Sequence, residues 1–286
     1  MEITDICRMV ARSLFAEIGP WGNRCALIGG LIPGLLVPEP GEILEPHVGT
    51  SDVDLAIRVA AVGDDQEMYR TLIQNFANLN LKQDDDRSFK WKRTVEGADV
   101  VVELFVPVTD PEQGGKIQRK PIEKSGSGLT ALGVYGLDLI DRDIVMQDDE
   151  GPLLDGRGVK RVSLRLCGPA VLLGLKAWAL LERTKDKDGC DIVWMLKAQG
   201  APEMADKFLA ARLHETDFGN KALDYLSDGF KTHQHTGPLG WANESGFEGD
   251  QAVLEARTAA GIVQEFVSLV RRGSTSTTES TGTGHR

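Results

Sequence analysis

Long hydrophobic runs, paired cysteines and clustered histidines are all missing from this sequence. No apolar run approaches the roughly 20 residues of a membrane-spanning helix, so no membrane contact is expected. The four cysteines show no CxxC spacing, which predicts buried thiols in a reducing compartment rather than disulfides. The five histidines are scattered and form no HExxH-like pair, so no zinc site is expected.

A secretory signal is also missing at the start of the chain. Residues 1–18 lack a basic segment, an apolar segment and a small-residue cleavage site. Their apolar residues recur at helical spacing, which predicts an amphipathic helix. We therefore expect a cytoplasmic protein without a signal peptide.

The chain also lacks an excess of positive charge. The formal net charge is −11, which argues against a protein that coats nucleic acid non-specifically. Three short basic segments are either candidates for contact with an RNA end or ordinary solvated faces: residues 89–93, 116–124 and 183–188.

The composition that is present is that of a globular protein. The 286 residues are 41% hydrophobic and 26% charged, enough for one large domain or two modest ones. Strand and helix patterns mix up to residue 167, and helical patterns dominate after it. We therefore predict an α+β fold with a mixed-sheet domain over 1–167, a helical domain over 168–272 and a disordered tail over 273–286.

The individual elements follow from hydrophobic periodicity and from turn residues. Strands are predicted at 23–30, 51–59, 88–95, 98–108, 130–136, 141–147 and 161–166, with a turn at Glu96–Gly97 and a polar loop over 110–128. Helices are predicted at 1–18, 64–79, 169–200 with a break near Asp188–Gly189, 203–213, 220–229 and 250–272.

Two aspartates stand close together in the stretch SDVDLAIRV, which otherwise alternates like a strand. Asp52 and Asp54 would project to one face, with Cβ atoms roughly 7 Å apart. Like charges that close repel unless a positive charge lies between them. A divalent cation such as Mg²⁺, which takes oxygen ligands, meets that need. The alternative is an edge strand with both carboxylates in water.

A third carboxylate, Glu103, stands alone in the apolar stretch VVVELFV, where an unpaired charge is costly. It is a third metal ligand if its strand lies beside the strand of the two aspartates. The alternative is a salt bridge from Glu103 to a buried arginine or lysine.

A glycine pair, Gly29–Gly30, ends the apolar stretch NRCALIGG and precedes a short helical segment. Such a turn lets backbone N–H groups approach a phosphate, and the N-terminus of the following helix adds partial positive charge. The pair is therefore a candidate phosphate-binding turn.

The order of these three motifs resembles the nucleotidyltransferase superfamily whose best-known member is polymerase beta. The resemblance implies a polymerase-beta-like mixed sheet in which Asp52, Asp54 and Glu103 hold two Mg²⁺ ions on an NTP. It also implies that Gly29 and Gly30 contact the triphosphate.

The helical half carries a second pattern, K-x-x-A-x-x-x-R-x-x-x-K-D-x-x-D, whose charged members are Lys176, Arg183, Lys187, Asp188 and Asp191. This pattern resembles the AbiEii-type nucleotidyltransferases, which include toxins of bacterial toxin–antitoxin pairs. Positions 176 and 183 share roughly one helix face. The alternative is a charged solvent face on a core helix.

The resemblance implies an enzyme that moves a nucleoside monophosphate from an NTP to a hydroxyl acceptor and releases pyrophosphate. Glu103 would also accept the proton of the attacking hydroxyl. Lys176 and Arg183 would neutralise charge on the β- and γ-phosphates, with Lys187 as a weaker candidate. Asp188 and Asp191 would orient these cations or activate the acceptor.

The resemblance spans residues 23–196 and includes departures from the superfamily pattern. A long stretch separates Gly30 from Asp52, and Leu31 rather than a serine or threonine follows the glycine pair. The arginine often found just before the DxD is missing, and Thr50 and Ser51 are the small polar residues available there for nucleotide contact.

The acceptor implied by the toxin group is the 3′ end of a tRNA, with a protein side chain as another choice. A small molecule such as an aminoglycoside is the second enzyme hypothesis, since an acidic chain suits a cationic substrate. A non-catalytic nucleotide-binding protein with this fold is the third hypothesis. If the chain is a toxin, a separate antitoxin is expected as its partner.

Overall fold

The computed structural model describes residues 1–41, 44–57, 66–118, 129–183 and 185–280. By the density of their contacts, the residues fall into two compact units. The sheet unit consists of Met1–Ile32 and Gly49–Cys167, and the helical unit consists of Pro33–Val48 and Gly168–Arg286.

The sheet unit is built on one mixed sheet, so the α+β class expected from the sequence is confirmed. Its described strands are β1 (Cys25–Ile28), β2 (Asp52–Ile57), β3 (Lys82–Gln83), β4 (Lys90–Val95), β5 (Ala98–Val108), β6 (Ile117–Gln118), β7 (Ala131–Tyr135), β8 (Ile144–Pro152) and β9 (Val159–Cys167). The main path runs β3-β4-β5-β2-β1-β9-β8, while β7 pairs with β5 and with β6. Three pairs are parallel: β2 with β5, β1 with β9, and β5 with β7.

The two faces of this sheet differ in burial. In β5 the even-numbered residues of Val100–Val106 are fully buried, and the odd-numbered residues between them are half-buried. In β2, Val53 and Leu55 are buried, as are Ala56 and Ile57 at the strand end, whereas Asp52 and Asp54 are half-buried. Because side chains alternate between faces along a strand, Asp52, Asp54 and Glu103 lie on the less buried face.

A tight hairpin joins β4 to β5 at Glu96–Gly97, as predicted. The two turn residues have φ values of 51° and 83°, the pair of positive values that a type I′ turn requires. This two-residue turn fixes the register of the hairpin. It places Val95 opposite Ala98 and, at the far end, Lys90 opposite Glu103.

The α-helices described before residue 80 are α1 (Ile3–Ile18), α2 (Ile32–Leu36) and α3 (Gln66–Asn78). Helix α1 is joined to β8 by a buried ion cluster. The Asp149 carboxylate, which is 1% exposed, accepts from Arg8 Nε at 2.8 Å and from Arg12 Nε at 2.7 Å. A buried carboxylate is costly unless it is paired, and two guanidinium groups satisfy this one.

The helical unit contains α4 (Pro169–Arg183), α5 (Asp186–Gln199), α6 (Ala201–Ala210), α7 (Asp217–Gly229), α8 (Thr236–Glu244) and α9 (Gly249–Ser280). Its core includes the fully buried rings of Phe208, Phe230 and Phe266, and the first and last of these meet edge-to-face at 5.7 Å. Among the described helices, none has the length and apolar character that crossing a membrane requires. All four cysteines fall within the described residues, where they are buried and form no disulfide.

The helix predicted over 169–200 is broken, but the break lies a few residues before Asp188–Gly189. Helix α4 ends at Arg183 and α5 begins at Asp186, so both residues lie in the first turns of α5. Gly189 has a packing role instead, since a Cβ there would lie 2.6 Å from the Gly237 carbonyl oxygen in α8. The glycine allows the two helices to approach closely.

Other element boundaries also differ from the sequence predictions. Helix α8, which contains two glycines and a proline, was not predicted, because close packing overrides its weak intrinsic propensity. Helix α9 is described as far as Ser280, within the predicted tail of 273–286, and Gly273 packs against Leu209. Strand β8 begins at Ile144, after a 3-10 turn over Leu137–Arg142.

Parts of several predictions lie outside the described residues. Residues 58–65 include the end of the predicted strand 51–59 and the start of the predicted helix 64–79. Residues 119–128 belong to the predicted polar loop. The end of the basic segment 116–124, Thr184 and the last residues of the chain, 281–286, also lie outside them.

Candidate functional site

A row of charged side chains crosses three strands of the sheet. Asp54 in β2 is the in-register neighbour of Glu103 in β5, and Glu103 is the in-register neighbour of Lys90 in β4. Cross-strand neighbours project to the same face, with strands about 4.8 Å apart. The sheet therefore brings two of the three predicted carboxylates side by side and adds a lysine that was not predicted.

Asp52 lies two residues from Asp54 on the same face and is held by the loop before it. The Thr50 hydroxyl donates to Asp52 Oδ1 at 2.5 Å. The backbone N–H of Thr50 donates in turn to Thr4 Oγ1 at 3.0 Å, which ties this loop to α1. Thr50 is buried and turned toward the carboxylate, whereas the neighbouring Ser51 is exposed. Thr50 thus positions Asp52.

Gly29 lies directly against the Asp54 carboxylate. Its φ of 76° is in the left-handed region, and a Cβ built on it would lie 1.8 Å from Asp54 Oδ2. Any other residue would be strained in the backbone and would displace the carboxylate. The glycine pair predicted to approach a phosphate is therefore in contact with one of the predicted metal-binding aspartates.

The helix expected to follow the glycine pair is short. Gly29–Leu31 form a 3-10 turn, in which Gly30 is buried, and α2 adds only five residues after it. A helix of this length has a small macrodipole, so its contribution to anion binding is smaller than the sequence suggests.

Glu103 forms an ion pair with Lys90, the alternative that the sequence left open for it. The two side chains are 14% and 18% exposed, so the pair is shielded from water on most sides. The Lys90 ammonium also lies 5.6 Å from the centroid of the Phe89 ring. Such a pair is stronger than one on the open surface, where screening leaves little net gain.

The donor chemistry of this face suits a hard divalent cation, since Asp52, Asp54 and Glu103 offer only carboxylate oxygens. The arrangement of these three carboxylates suits a divalent cation less well than their chemistry does. In the part of the chain that the structure describes, no three or more His, Cys, Asp or Glu side chains are grouped so that they could hold a metal ion. Glu103 would have to leave Lys90 to become a ligand beside the two aspartates.

The charged residues of the helical pattern form a second, separate cluster. Lys176 in α4 lies 3.1 Å from Asp188 Oδ1 and 2.5 Å from Asp191 Oδ2, both in α5. The second contact is an ion pair rather than an aligned hydrogen bond. All three residues are at most 7% exposed. The alternative of a charged solvent face is therefore wrong for these three residues, which form a buried network between two helices.

Two further residues complete this network. Arg183 donates from Nε to Asp188 Oδ2 and from Nη2 to Asp188 Oδ1, both at 2.8 Å. His47 Nε2 lies 2.8 Å from Asp191 Oδ1 and contacts the Trp194 ring edge-on. Arg183 is half exposed, whereas the His47 side chain is only 3% exposed.

The pKa values of the network follow from this pairing. Burial raises the pKa of Asp191, but Lys176 and His47 outweigh it, so that the net pKa is lowered. Burial likewise opposes ionisation of Asp188, and the hydrogen bonds from Arg183 and the charge of Lys176 lower its pKa. Burial lowers the pKa of Lys176, and the two aspartates more than offset it, so that its pKa is raised.

Lys187, the remaining member of the pattern, lies in the first turn of α5 and is half-buried. Its positive charge helps to lower the pKa of Asp191. It is therefore placed to act on the network through its charge.

The basic segment 89–93 is neutralised by carboxylates. Lys90 pairs with Glu103, and Lys92 pairs with Asp84. Arg93 pairs with a further carboxylate, that of Asp155 in the turn between β8 and β9. The cations of this segment are thus engaged within the protein.

Sequence reasoning missed Lys90 and His47. Lys90 had a signal, because a two-residue turn at Glu96–Gly97 pairs 95 with 98 and therefore 90 with 103. His47 had none, because its partner Asp191 lies 144 positions away. The stretch Pro33–Val48 that ends near His47 belongs to the helical unit, where the Trp194 indole donates to the Glu45 carbonyl at 3.0 Å.

No model of a known protein family matches the chain, and no curated protein matches it.

The contact between Gly29 and Asp54 predicts a large effect of Gly29→Ala. The added methyl group is strained at positive φ and displaces the carboxylate, so we expect the free energy of unfolding to fall by about 2 kcal/mol or more. Gly34→Ala in α2 is the matched control, since its Cβ meets nothing within 4 Å. We expect it to change stability by at most about 1 kcal/mol, in the stabilising direction. Equal losses in urea denaturation would contradict this account.

The buried network predicts an acid-dependent effect of Asp191→Asn. The pKa of Asp191 is lower in the folded chain than in the unfolded one, so its stabilisation is full above pH about 4 and is lost as the pH falls further. We expect the variant to be less stable than the wild type by about 3 kcal/mol at neutral pH, because Lys176 and His47 lose a buried partner. The deficit should shrink below pH about 4.

Urea denaturation at a series of pH values measures this deficit. Asp206→Asn, at an exposed position of α6, is the control and should differ from the wild type by less than about 0.5 kcal/mol at every pH. A deficit of Asp191→Asn that stays constant down to pH about 3 would show that ionisation of Asp191 does not stabilise the fold.

Proposed function

We propose that the protein is a Mg²⁺-dependent nucleotidyltransferase with a polymerase-beta-like catalytic sheet. It transfers a nucleoside monophosphate from an NTP to a hydroxyl acceptor and releases pyrophosphate. The AbiEii-type pattern of the helical half suggests a toxin-like enzyme of the cytoplasm with a cognate antitoxin.

One observation carries the proposal: Asp52, Asp54 and Glu103 share one half-buried face of adjacent parallel strands, with Gly29 against Asp54. Carboxylates placed this close on a partly shielded face repel one another unless cations lie among them. The donors of this face are those that Mg²⁺ prefers. The motif order of the sequence gives this arrangement a catalytic interpretation.

The chain's own residues would share the work on this face. Asp52, oriented by the Thr50 hydroxyl, and Asp54 would hold Mg²⁺ with the triphosphate of the NTP. Bound Mg²⁺ would supply charge neutralisation and a lowered pKa for the acceptor hydroxyl. Once Glu103 is released from its ion pair with Lys90, it would accept the proton of the acceptor hydroxyl. Gly29 would let the backbone come close to the phosphates.

The helical network has a more restricted role in this proposal. Lys176 is buried between two carboxylates, so it stabilises and orients the network rather than binding phosphate directly. Arg183, whose side chain is 51% exposed, is the member that a phosphate can reach from solvent. Asp188 orients Arg183 through two hydrogen bonds.

We propose the 3′ end of a tRNA as the acceptor, on the strength of the sequence pattern in the helical half. The cations of segment 89–93 are paired within the protein and do not themselves favour RNA. A small cationic acceptor of the aminoglycoside type therefore belongs in the same experiment.

A second candidate, a non-catalytic nucleotide-binding protein, is favoured by the Lys90–Glu103 ion pair. This pair engages the carboxylate that would have to serve as metal ligand and proton acceptor. The two candidates differ in turnover but not in Mg²⁺–NTP binding.

The test uses NTPs that carry radioactive phosphorus at the α-phosphate, one NTP at a time, in the presence of Mg²⁺. Transfer of the label to total tRNA, to protein or to an aminoglycoside is then measured. We expect label on tRNA with the wild-type protein and a loss of about a thousandfold with Asp54→Asn, since the metal contributes several kcal/mol to such steps. Asp99→Asn is the control in β5, because Asp99 is exposed and accepts a surface hydrogen bond from Thr94.

Three outcomes separate the candidates. Label on a small acceptor but not on tRNA would redirect the proposal to the aminoglycoside type. Mg²⁺–NTP binding without label on any acceptor would favour the non-catalytic candidate. Equal activity of Asp54→Asn and the wild type would contradict the assigned site.

A further inference from the structure

Lys90 is a cation built into the row of carboxylates by the sheet itself. The type I′ turn at Glu96–Gly97 fixes the β4–β5 register, and this register places Lys90 beside Glu103. On the other side of Glu103, the parallel pairing of β2 and β5 places Asp54. The lysine is therefore held in the row by backbone geometry and not by a flexible surface contact.

The charge of Lys90 has a direct consequence for any cation that binds the same face. The four side chains of Lys90, Glu103, Asp54 and Asp52 carry three carboxylates and one ammonium. An ammonium within a few ångströms of a divalent cation repels it strongly where water is partly excluded. Glu103 cannot give its full charge to a metal ion while it is paired with Lys90.

We propose that Lys90 is a competitor of the divalent cation for Glu103 and so sets the cation concentration at which this face fills. In the metal-free protein Lys90 neutralises Glu103. When a divalent cation binds Asp52 and Asp54, Glu103 leaves Lys90 and turns to the metal. This inference rests on the metal-binding part of the proposed function.

After Glu103 leaves, the Lys90 ammonium still has surroundings that stabilise its charge. Lys90 is 18% exposed, so its ammonium can reach water without crossing the core. The Phe89 ring, 5.6 Å from the ammonium, offers a cation–π contact that does not depend on Glu103. The exchange therefore does not strand a buried charge, which makes Lys90 suited to reversible release.

The test is Mn²⁺ binding to the full-length protein, measured without nucleotide by isothermal titration calorimetry and by the electron paramagnetic resonance signal of free Mn²⁺. Lys90→Met keeps the length of the side chain and removes its charge. We expect it to bind Mn²⁺ at least about tenfold more tightly than the wild type, because the competing charge is gone. Lys90→Gln serves as a second variant if Lys90→Met does not fold.

Lys92→Met is the matched control. Lys92 lies two residues along the same strand and pairs with Asp84, outside the row. We expect its Mn²⁺ affinity to equal that of the wild type. In the double variant Lys90→Met with Glu103→Gln, the gain should disappear, because the released carboxylate is what strengthens binding.

The outcomes separate this inference from the proposed function. Equal or weaker Mn²⁺ binding by Lys90→Met would overturn the inference, even if the wild type transfers nucleotides. Tighter binding by Lys90→Met would support it, even if no acceptor is ever labelled. Absence of Mn²⁺ binding in the wild type and in every variant would overturn both the inference and the metal-dependent function.

Discussion

The parallel pairing of β2 with β5 is the constraint on which the candidate site depends. It sets Asp54 beside Glu103, and the period of two along β2 puts Asp52 on the same face. A shift of one residue would turn Asp54 away from Glu103 and into the buried side of the sheet, where an unpaired carboxylate is costly. Gly29 adds a second restraint, because only glycine leaves room for the Asp54 carboxylate where it lies.

The charged network of the helical unit and the charged row on the sheet differ in physical character. In the helical unit, the carboxylates of Asp188 and Asp191 are matched by the cations of Lys176 and Arg183, and burial is nearly complete for three of the four. On the sheet face, Asp52, Asp54 and Glu103 lie in one half-buried row with the ammonium of Lys90. A matched and buried set stabilises a fold, whereas a partly exposed row of carboxylates attracts cations.

Whether the sequence predicts a contact in this protein depends on how far apart the two residues are along the chain. The strand of Asp52 and Asp54, the hairpin at Glu96–Gly97 and the α+β class follow from local periodicity and turn chemistry. The same hairpin predicts the pairing of Lys90 with Glu103, although charge alone does not. His47 with Asp191 joins residues 144 positions apart, and only the packed fold brings them together.

Helix boundaries were harder to predict because glycine has two opposite uses. The sequence predicts a break at Gly189, yet this glycine lies within α5 and allows α8 to pack closely against it. The same close packing stabilises α8, whose own residues are weak helix formers. Tertiary packing thus decides features for which intrinsic propensity gives the wrong answer.

The most direct test of the central claim is anomalous diffraction from crystals of the protein with Mn²⁺ and a non-hydrolysable NTP analogue. The account predicts an anomalous peak bonded to oxygens of both Asp52 and Asp54, with the triphosphate completing the coordination. A well-ordered nucleotide bound without metal density at these two aspartates would contradict it.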